Sequence, residues 1–130
     1  MLLVEDEEIN QLALRTGLER QGIVVTCAGS GEAALAALRA GTFDCVLMDI
    51  QMPGMSGLEV TQAIRTQPEF RDCADIPVIA LTAFAMSGDR ERFLAAGMDD
   101  YLAKPFSFDD LSRMLGRIRL ARLAFLNAGK

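Results

Sequence analysis

The sequence predicts an α/β fold in which five βα units form a doubly wound, five-stranded parallel sheet, (βα)5. Strand-like and helix-like segments alternate five times and consume the chain, which argues for parallel strands joined by right-handed helical crossovers. Pro77-Val78-Ile79-Ala80-Leu81 is apolar throughout, as a strand covered on both faces should be. Three strand ends finish in polar groups: Glu5-Asp6, Asp49 and Lys104. Open α/β sheets carry their chemistry at that edge.

Leu2–Val4 reads as the first strand. Its shortness leads us to expect a fragment of a longer protein. Ile9, Leu12, Leu14 and Leu18 recur at helical spacing until Gly22 stops them. Ile23–Cys27 is β-branched and apolar, a second strand. Ser30 caps a helix through Ala33–Leu38 that Gly41 closes. Phe43–Met48 is the third strand, and Leu58, Val60, Ala63 and Ile64 lie on a helix ending before Pro68. Pro77–Leu81 is the fourth strand. Ser87 begins the next helix, with Asp89 and Glu91 in its first turn and Gly97 beyond its end. Tyr101–Ala103 is the fifth strand. Ser107-Phe108-Asp109-Asp110 is a capping-box variant opening a last helix through Leu111, Leu115 and Ile118. Residues 1–130 thus read as one domain, with no linker, repeat or low-complexity stretch.

Composition narrows the function. The chain is 51% hydrophobic and 24% charged, which is globular rather than disordered. Net charge is −5, from 18 acidic and 13 basic residues, so no electrostatic footprint for nucleic acid is visible. Cys27, Cys45 and Cys73 are odd in number and lack CxxC spacing, and they read as reduced apolar residues of a cytoplasmic protein. No apolar stretch approaches the roughly 20 residues that span a membrane, and Glu5 interrupts the one N-terminal apolar run, so no signal peptide is expected. Histidine is absent, which excludes a phosphohistidine or a His metal ligand within this chain.

Asp49 ends an apolar run and precedes the loop Ile50-Gln51-Met52-Pro53-Gly54-Met55-Ser56-Gly57. Taken singly, each polar strand end has an ordinary structural reading. Asp49 could be a turn or helix cap, Glu5 to Glu8 a helix N-terminus favoured by its dipole, Lys104-Pro105 a turn, and Thr82 a structural hydroxyl. Met48, Met52 and Met55 read as packing residues. Together on successive strand ends, three carboxylates and an ammonium make a cation site containing a reactive acid.

Leu2-Leu3-Val4-Glu5-Asp6-Glu7-Glu8-Ile9-Asn10, Met48-Asp49-Ile50-Gln51-Met52-Pro53-Gly54-Met55-Ser56-Gly57, Ala80-Leu81-Thr82-Ala83 and Tyr101-Leu102-Ala103-Lys104-Pro105-Phe106 occur in this order. They resemble the marker segments of two-component response regulator receiver domains, over essentially the whole chain. The Asp-Ile-Gln-Met-Pro and Ala-Ala-Gly-Met-Asp-Asp-Tyr-Leu wording is most similar to receivers of hybrid sensor histidine kinases.

The resemblance implies a flavodoxin-like strand order 2-1-3-4-5, which the handedness rules alone leave open. It implies that Asp49 is the phosphoacceptor, and that Mg²⁺ (or Mn²⁺) is held by Asp6, Asp49 and the main-chain carbonyl of Gln51. Glu5 would act mainly through water, with Lys104 and Thr82 serving the phosphoryl oxygens. Thr82 and Tyr101 would be the switch pair, the Lys104–Pro105 bond would be cis, and Gln51 with Phe84 would set the lifetime of the acyl phosphate. The implied partners are a sensor histidine kinase or a histidine phosphotransfer protein, with no direct nucleic acid, no membrane contact by this domain, and room for a transient homodimer. The implied setting is the cytoplasm, including the cytosolic end of a membrane-anchored hybrid kinase. The implied role is a signalling receiver that assists its own phosphorylation and dephosphorylation, rather than an enzyme acting on a separate substrate.

Rival chemistries fit less well. An aspartyl phosphohydrolase wants a second acid two residues after the nucleophile, where this chain has Gln51. A nucleotide binder wants a Gly-rich phosphate loop after the first strand, where this chain has Glu5-Asp6-Glu7. A degenerate receiver used only as a binding surface would have lost Asp49 or Lys104, and both are present.

Overall fold

A computed structural model describes residues 1–83, 88–104 and 106–128. Expectations placed on Phe84, on Ser87 and on the Lys104–Pro105 bond lie outside these residues.

The strands are β1 (Leu2–Val4), β2 (Thr26–Ala28), β3 (Val46–Asp49), β4 (Val78–Thr82) and β5 (Asp100–Ala103). The helices are α1 (Glu8–Arg20), α2 (Gly31–Ala40), α3 (Gly57–Thr66), α4 (Asp89–Ala95) and α5 (Phe108–Ala128). All pairings are parallel, and the order is β2-β1-β3-β4-β5, as the resemblance implied. Alternation along each strand divides the core in two. Leu2, Val4, Val46, Met48, Val78 and Ala80 pack with α2, α3 and Phe93 of α4. Leu3, Leu47, Ile79, Leu81 and Leu102 face the other way, onto Leu18 of α1 and onto Leu111 and Met114 of α5.

Side-chain caps mark where α2, α3 and α5 start. The Ser30 hydroxyl accepts from the Ala33 N–H, and Ser56 forms a full capping box with Glu59 at the head of α3. The Ser107–Asp110 pair closes reciprocally at 3.4 and 3.1 Å, so the unusual Asp performs the Glu role. A 3₁₀ helix at Pro68–Cys73, unanticipated from the sequence, follows α3 and buries Phe70.

Four expectations need correction. The second strand is Thr26–Ala28 rather than Ile23–Cys27. An edge strand forms only where its partner exists, and β1 offers Leu2 to Val4. Ile23 instead bonds back to the Leu18 carbonyl, and Val24 is 84% exposed. The third strand starts at Val46 rather than Phe43 and takes in Asp49, which pairs with Leu81. On α1, Leu18 is buried but Ile9 and Leu12 are 82% and 67% exposed. Nine residues at about 100° each place Ile9 on the face opposite Leu18, so the recurrence marked a helix without marking one buried face. The fourth strand is shifted by one residue to Val78–Thr82, which makes Thr82 its last residue.

Candidate functional site

Parallel strands deliver their C-terminal ends to one edge, and the polar strand ends meet there. Glu5 and Asp6 follow β1, Asp49 ends β3, Thr82 ends β4 and Lys104 follows β5. β3 and β4 are buried along their whole length, so Asp49 and Thr82 stand on the stiffest part of the sheet. The Lys104 N–H donates to the Thr82 carbonyl at 2.7 Å, which extends the β4–β5 pairing and fixes the root of the lysine.

Glu5 is 1% exposed and Asp49 6%. Oxygens of the Glu5, Asp6 and Asp49 carboxylates lie within 4.8 Å of one another. The Lys104 Nζ is 3.4 Å from Glu5 Oε1 and 3.9 Å from Asp49 Oδ2. The Gln51 N–H donates to Asp49 Oδ1 at 3.1 Å, which brings the backbone of Gln51 beside the acid. Glu5 Oε2 accepts from the Asp6 N–H at 3.0 Å. The structure therefore brings together Glu5, Asp6, Asp49, Gln51 and Lys104. Thr82 is buried one residue beyond the Asp49–Leu81 pair. Tyr101 is set apart from these carboxylates. It is half-buried against the core, with its ring edge-on to Phe93 at 5.7 Å.

The electrostatics follow from crowding. Burial is the largest influence on Asp49, and the hydrogen bond shared with Glu5 adds to it. Against the pull of Lys104, they push the carboxyl up to about 7. Burial is also the largest influence on Glu5 and works to raise it. The hydrogen bond with Asp49 and the charge of Lys104 outweigh that burial, and Glu5 ends below its ordinary value. The two opposite directions belong to the pair, since two carboxyls this close do not titrate independently.

Two contributors had escaped the sequence reading. A Cβ built on Gly57 would lie 2.4 Å from the Asp49 carbonyl oxygen and 2.9 Å from Met48 Cγ. Only a residue without a side chain lets α3 begin this close to the phosphoacceptor candidate. Gly57 was visible as a loop glycine, but its contact is with residues eight and nine positions earlier. Gln11 on α1 donates from Nε2 to the Glu5 carbonyl at 2.5 Å. Beside the site a cavity of about 250 Å³ opens between Asn10 and Leu14 of α1 and Phe106 and Phe108.

A buried acid clustered with two more acids and one ammonium, on the C-terminal edge of a 2-1-3-4-5 sheet, has a counterpart among known proteins. The family model described as the response regulator receiver domain matches residues 1–116. This chain belongs to the response regulator receiver family. The sensor histidine kinase GacS of Pseudomonas protegens is 41% identical over 129 residues, which is 99% of this chain and 14% of that protein. The response regulator DivK of Brucella ovis is 44% identical over 107 residues, 82% of this chain and 85% of that one. A solved receiver domain of a Pseudomonas aeruginosa sensor histidine kinase, 43% identical, superposes with a TM-score of 0.78 over 89% of this chain and 93% of its own. That receiver holds a magnesium ion coordinated in its active-site cleft. The receiver described here thus spans a small part of its kinase relatives and most of the length of DivK. The hard oxygen donors of Glu5, Asp6 and Asp49 suit the same kind of ion. Among the described residues no helix is long and apolar enough to cross a membrane.

Proposed function

We propose that this receiver takes a phosphoryl group from a phosphohistidine of a partner protein onto Asp49. The N–P bond of the phosphohistidine breaks as a bond forms between phosphorus and a carboxylate oxygen of Asp49. The imidazole leaves with the bonding electron pair and takes a proton from solvent. The observation that carries this reading is the placement of Asp49, buried at the tip of β3 against Glu5 and within 3.9 Å of the Lys104 ammonium.

Asp49 attacks as the carboxylate. Asp6, Asp49 and the main-chain carbonyl of Gln51 would hold Mg²⁺ or Mn²⁺, with Glu5 contributing through water, and the ion would supply positive charge to screen carboxylate from phosphate. Lys104 sits where its ammonium can turn from the two acids to a phosphoryl oxygen as charge develops there. Thr82 supplies a hydroxyl to another oxygen. Its movement, with repacking of Tyr101 against Phe93, would reshape the surface formed by α4, β5 and α5. Otherwise the group passes on to the next histidine of a relay. The donor is a sensor histidine kinase or a histidine phosphotransfer protein. The domain works in the cytoplasm, free or as the cytosolic end of a hybrid kinase, without direct contact with nucleic acid or membrane, and with a homodimer at most transient.

The test is labelling by acetyl phosphate with and without Mg²⁺, in wild type and in Asp49→Asn. Stoichiometric, metal-dependent label confined to the wild type is expected. Full label retained by Asp49→Asn would refute Asp49 as the acceptor.

A further inference from the structure

We infer that Gln11 is a positioning residue for the acidic pair, one that sets the direction of the Asp6 carboxylate by holding the peptide unit between Glu5 and Asp6. This rests on the cation reading of the site given above. That peptide unit is gripped at both ends. Its carbonyl, belonging to Glu5, accepts from Gln11 Nε2 at 2.5 Å. Its N–H, belonging to Asp6, donates to Glu5 Oε2 at 3.0 Å. The loop holding it follows a strand of three residues, with the Glu5 N–H bonded across to the Ala28 carbonyl.

The two grips differ in what happens when a cation arrives. Glu5 Oε2 belongs to a carboxylate of the acidic cluster whose other oxygen, Oε1, faces Lys104, so its hold on the Asp6 N–H is exposed to any rearrangement of the cluster around a cation. Gln11 is neutral and lies on α1, outside the cluster, so its hold does not compete. It is the grip that persists in both states. Gln11 therefore ties α1 to the loop after β1. A peptide unit released at its carbonyl keeps only its N–H bond to Glu5 Oε2 and can tilt, and the Asp6 side chain, which leaves the backbone at the next Cα, tilts with it. A metal ligand held less well by its supporting hydrogen bonds typically loses about tenfold in affinity.

The experiment compares wild type, Gln11→Met and Gln11→Glu. Met keeps the length and removes the donor. Glu keeps the shape and replaces the donor with an acceptor. Mg²⁺ titration, thermal unfolding without metal, and the amide resonances of Glu5 and Asp6 without metal are recorded for each. The expected result is a Mg²⁺ dissociation constant about tenfold higher in both variants, shifted Glu5 and Asp6 amides, little change in melting temperature, and recovery of acetyl phosphate labelling at saturating Mg²⁺. A simple structural role would move the melting temperature and leave affinity alone, and that outcome overturns the inference. Unmoved Glu5 and Asp6 amides in the metal-free Gln11→Met protein also overturn it, whatever happens to affinity. A wild type that binds no Mg²⁺ refutes the cation reading instead, and the metal-free amide shifts still decide whether Gln11 positions the pair.

Discussion

Replacing Asp49 with Asn should make the metal-free protein more stable at pH 8. A free aspartate titrates near 3.8, and this one is pushed up to about 7, chiefly by burial and then by the hydrogen bond shared with Glu5. Between those values the folded state binds more protons than the unfolded one, so wild-type stability falls as pH rises through that window. At about 1.4 kcal/mol per pH unit the gap sets a ceiling of roughly 4 kcal/mol on the cost of ionised Asp49. Two effects reduce the net figure. Glu5 is lowered, so it adds stability above its ordinary range and loses it as pH falls. Asp49→Asn also gives up the 3.9 Å pairing with Lys104. A gain of about 2 kcal/mol remains, or roughly 6–10 °C in a domain of this size. Asn keeps an acceptor for the Gln51 N–H, so little packing is lost.

The assay is urea unfolding of both proteins at pH 4, 6 and 8, in EDTA and in Mg²⁺. The advantage of Asp49→Asn should be near zero at pH 4, grow through pH 6 and level off by pH 8. Mg²⁺ should invert the order. Wild type gains about 2.7 kcal/mol at a concentration of one hundred dissociation constants, and the variant has lost a ligand. Equal stabilities at pH 8 in EDTA, or an advantage that does not change with pH, would refute the electrostatic reasoning.

Three further outcomes follow from the geometry. Gly57→Ala should destabilise the fold by about 1–3 kcal/mol in urea unfolding and slow labelling of Asp49, because its methyl meets the Asp49 carbonyl at 2.4 Å. Arg65→Met should lower stability by about 2–3 kcal/mol while leaving Mg²⁺ affinity unchanged in titration. Its guanidinium donates to the carbonyls of Gly97, Ala74 and Ile76 and to Asp99 at the opposite end of the sheet from the acids. Adding beryllofluoride with Mg²⁺ should shift amides of α4, β5 and the start of α5 through Thr82 and Tyr101, and shifts confined to the neighbourhood of Asp49 would rule out a propagated switch.

The site was legible in the sequence because each of its acids, the threonine and the lysine interrupts or ends an apolar run at a strand tip, and parallel topology carries all such tips to one edge. Strand length was less legible, because pairing depends on the partner. Ile23 and Val24 have strand composition, but they lie outside the β1–β2 ladder, which begins at Leu2 opposite Thr26. Ile9 and Leu12 have core composition, but the turn of α1 takes them away from Leu18. Gln11 left no signal, since a polar residue one turn into a helix looks like a solvated one until its amide is seen on the Glu5 carbonyl. Gly57 was visible as a glycine, and its reason lay in a contact across a loop with residues earlier in the chain.

On the proposed function, the cost carried by Asp49 follows from the chemistry asked of it. A carboxylate in water is well solvated and a weak nucleophile toward an anionic phosphoryl group. Burying it between Glu5 and the ends of β3 and β4 strips that solvation, and the same burial makes its charge expensive. The expense is tolerable because it is local. Val46, Leu47 and Met48 leading to Asp49, and Val78 to Leu81 beside them, are buried in both halves of the core and hold the strand tip in place whatever its charge. Lys104 neutralises part of the excess from the end of a long side chain, which on the proposed function would let it turn from carboxylate to phosphate. On the proposed function, a cation held by the same carboxylates would complete the neutralisation, and a more ionised pair would hold it better. Ionisation of the pair, metal binding and readiness for phosphoryl transfer would then be linked at this edge of the sheet, through the burial of the last residue of β3.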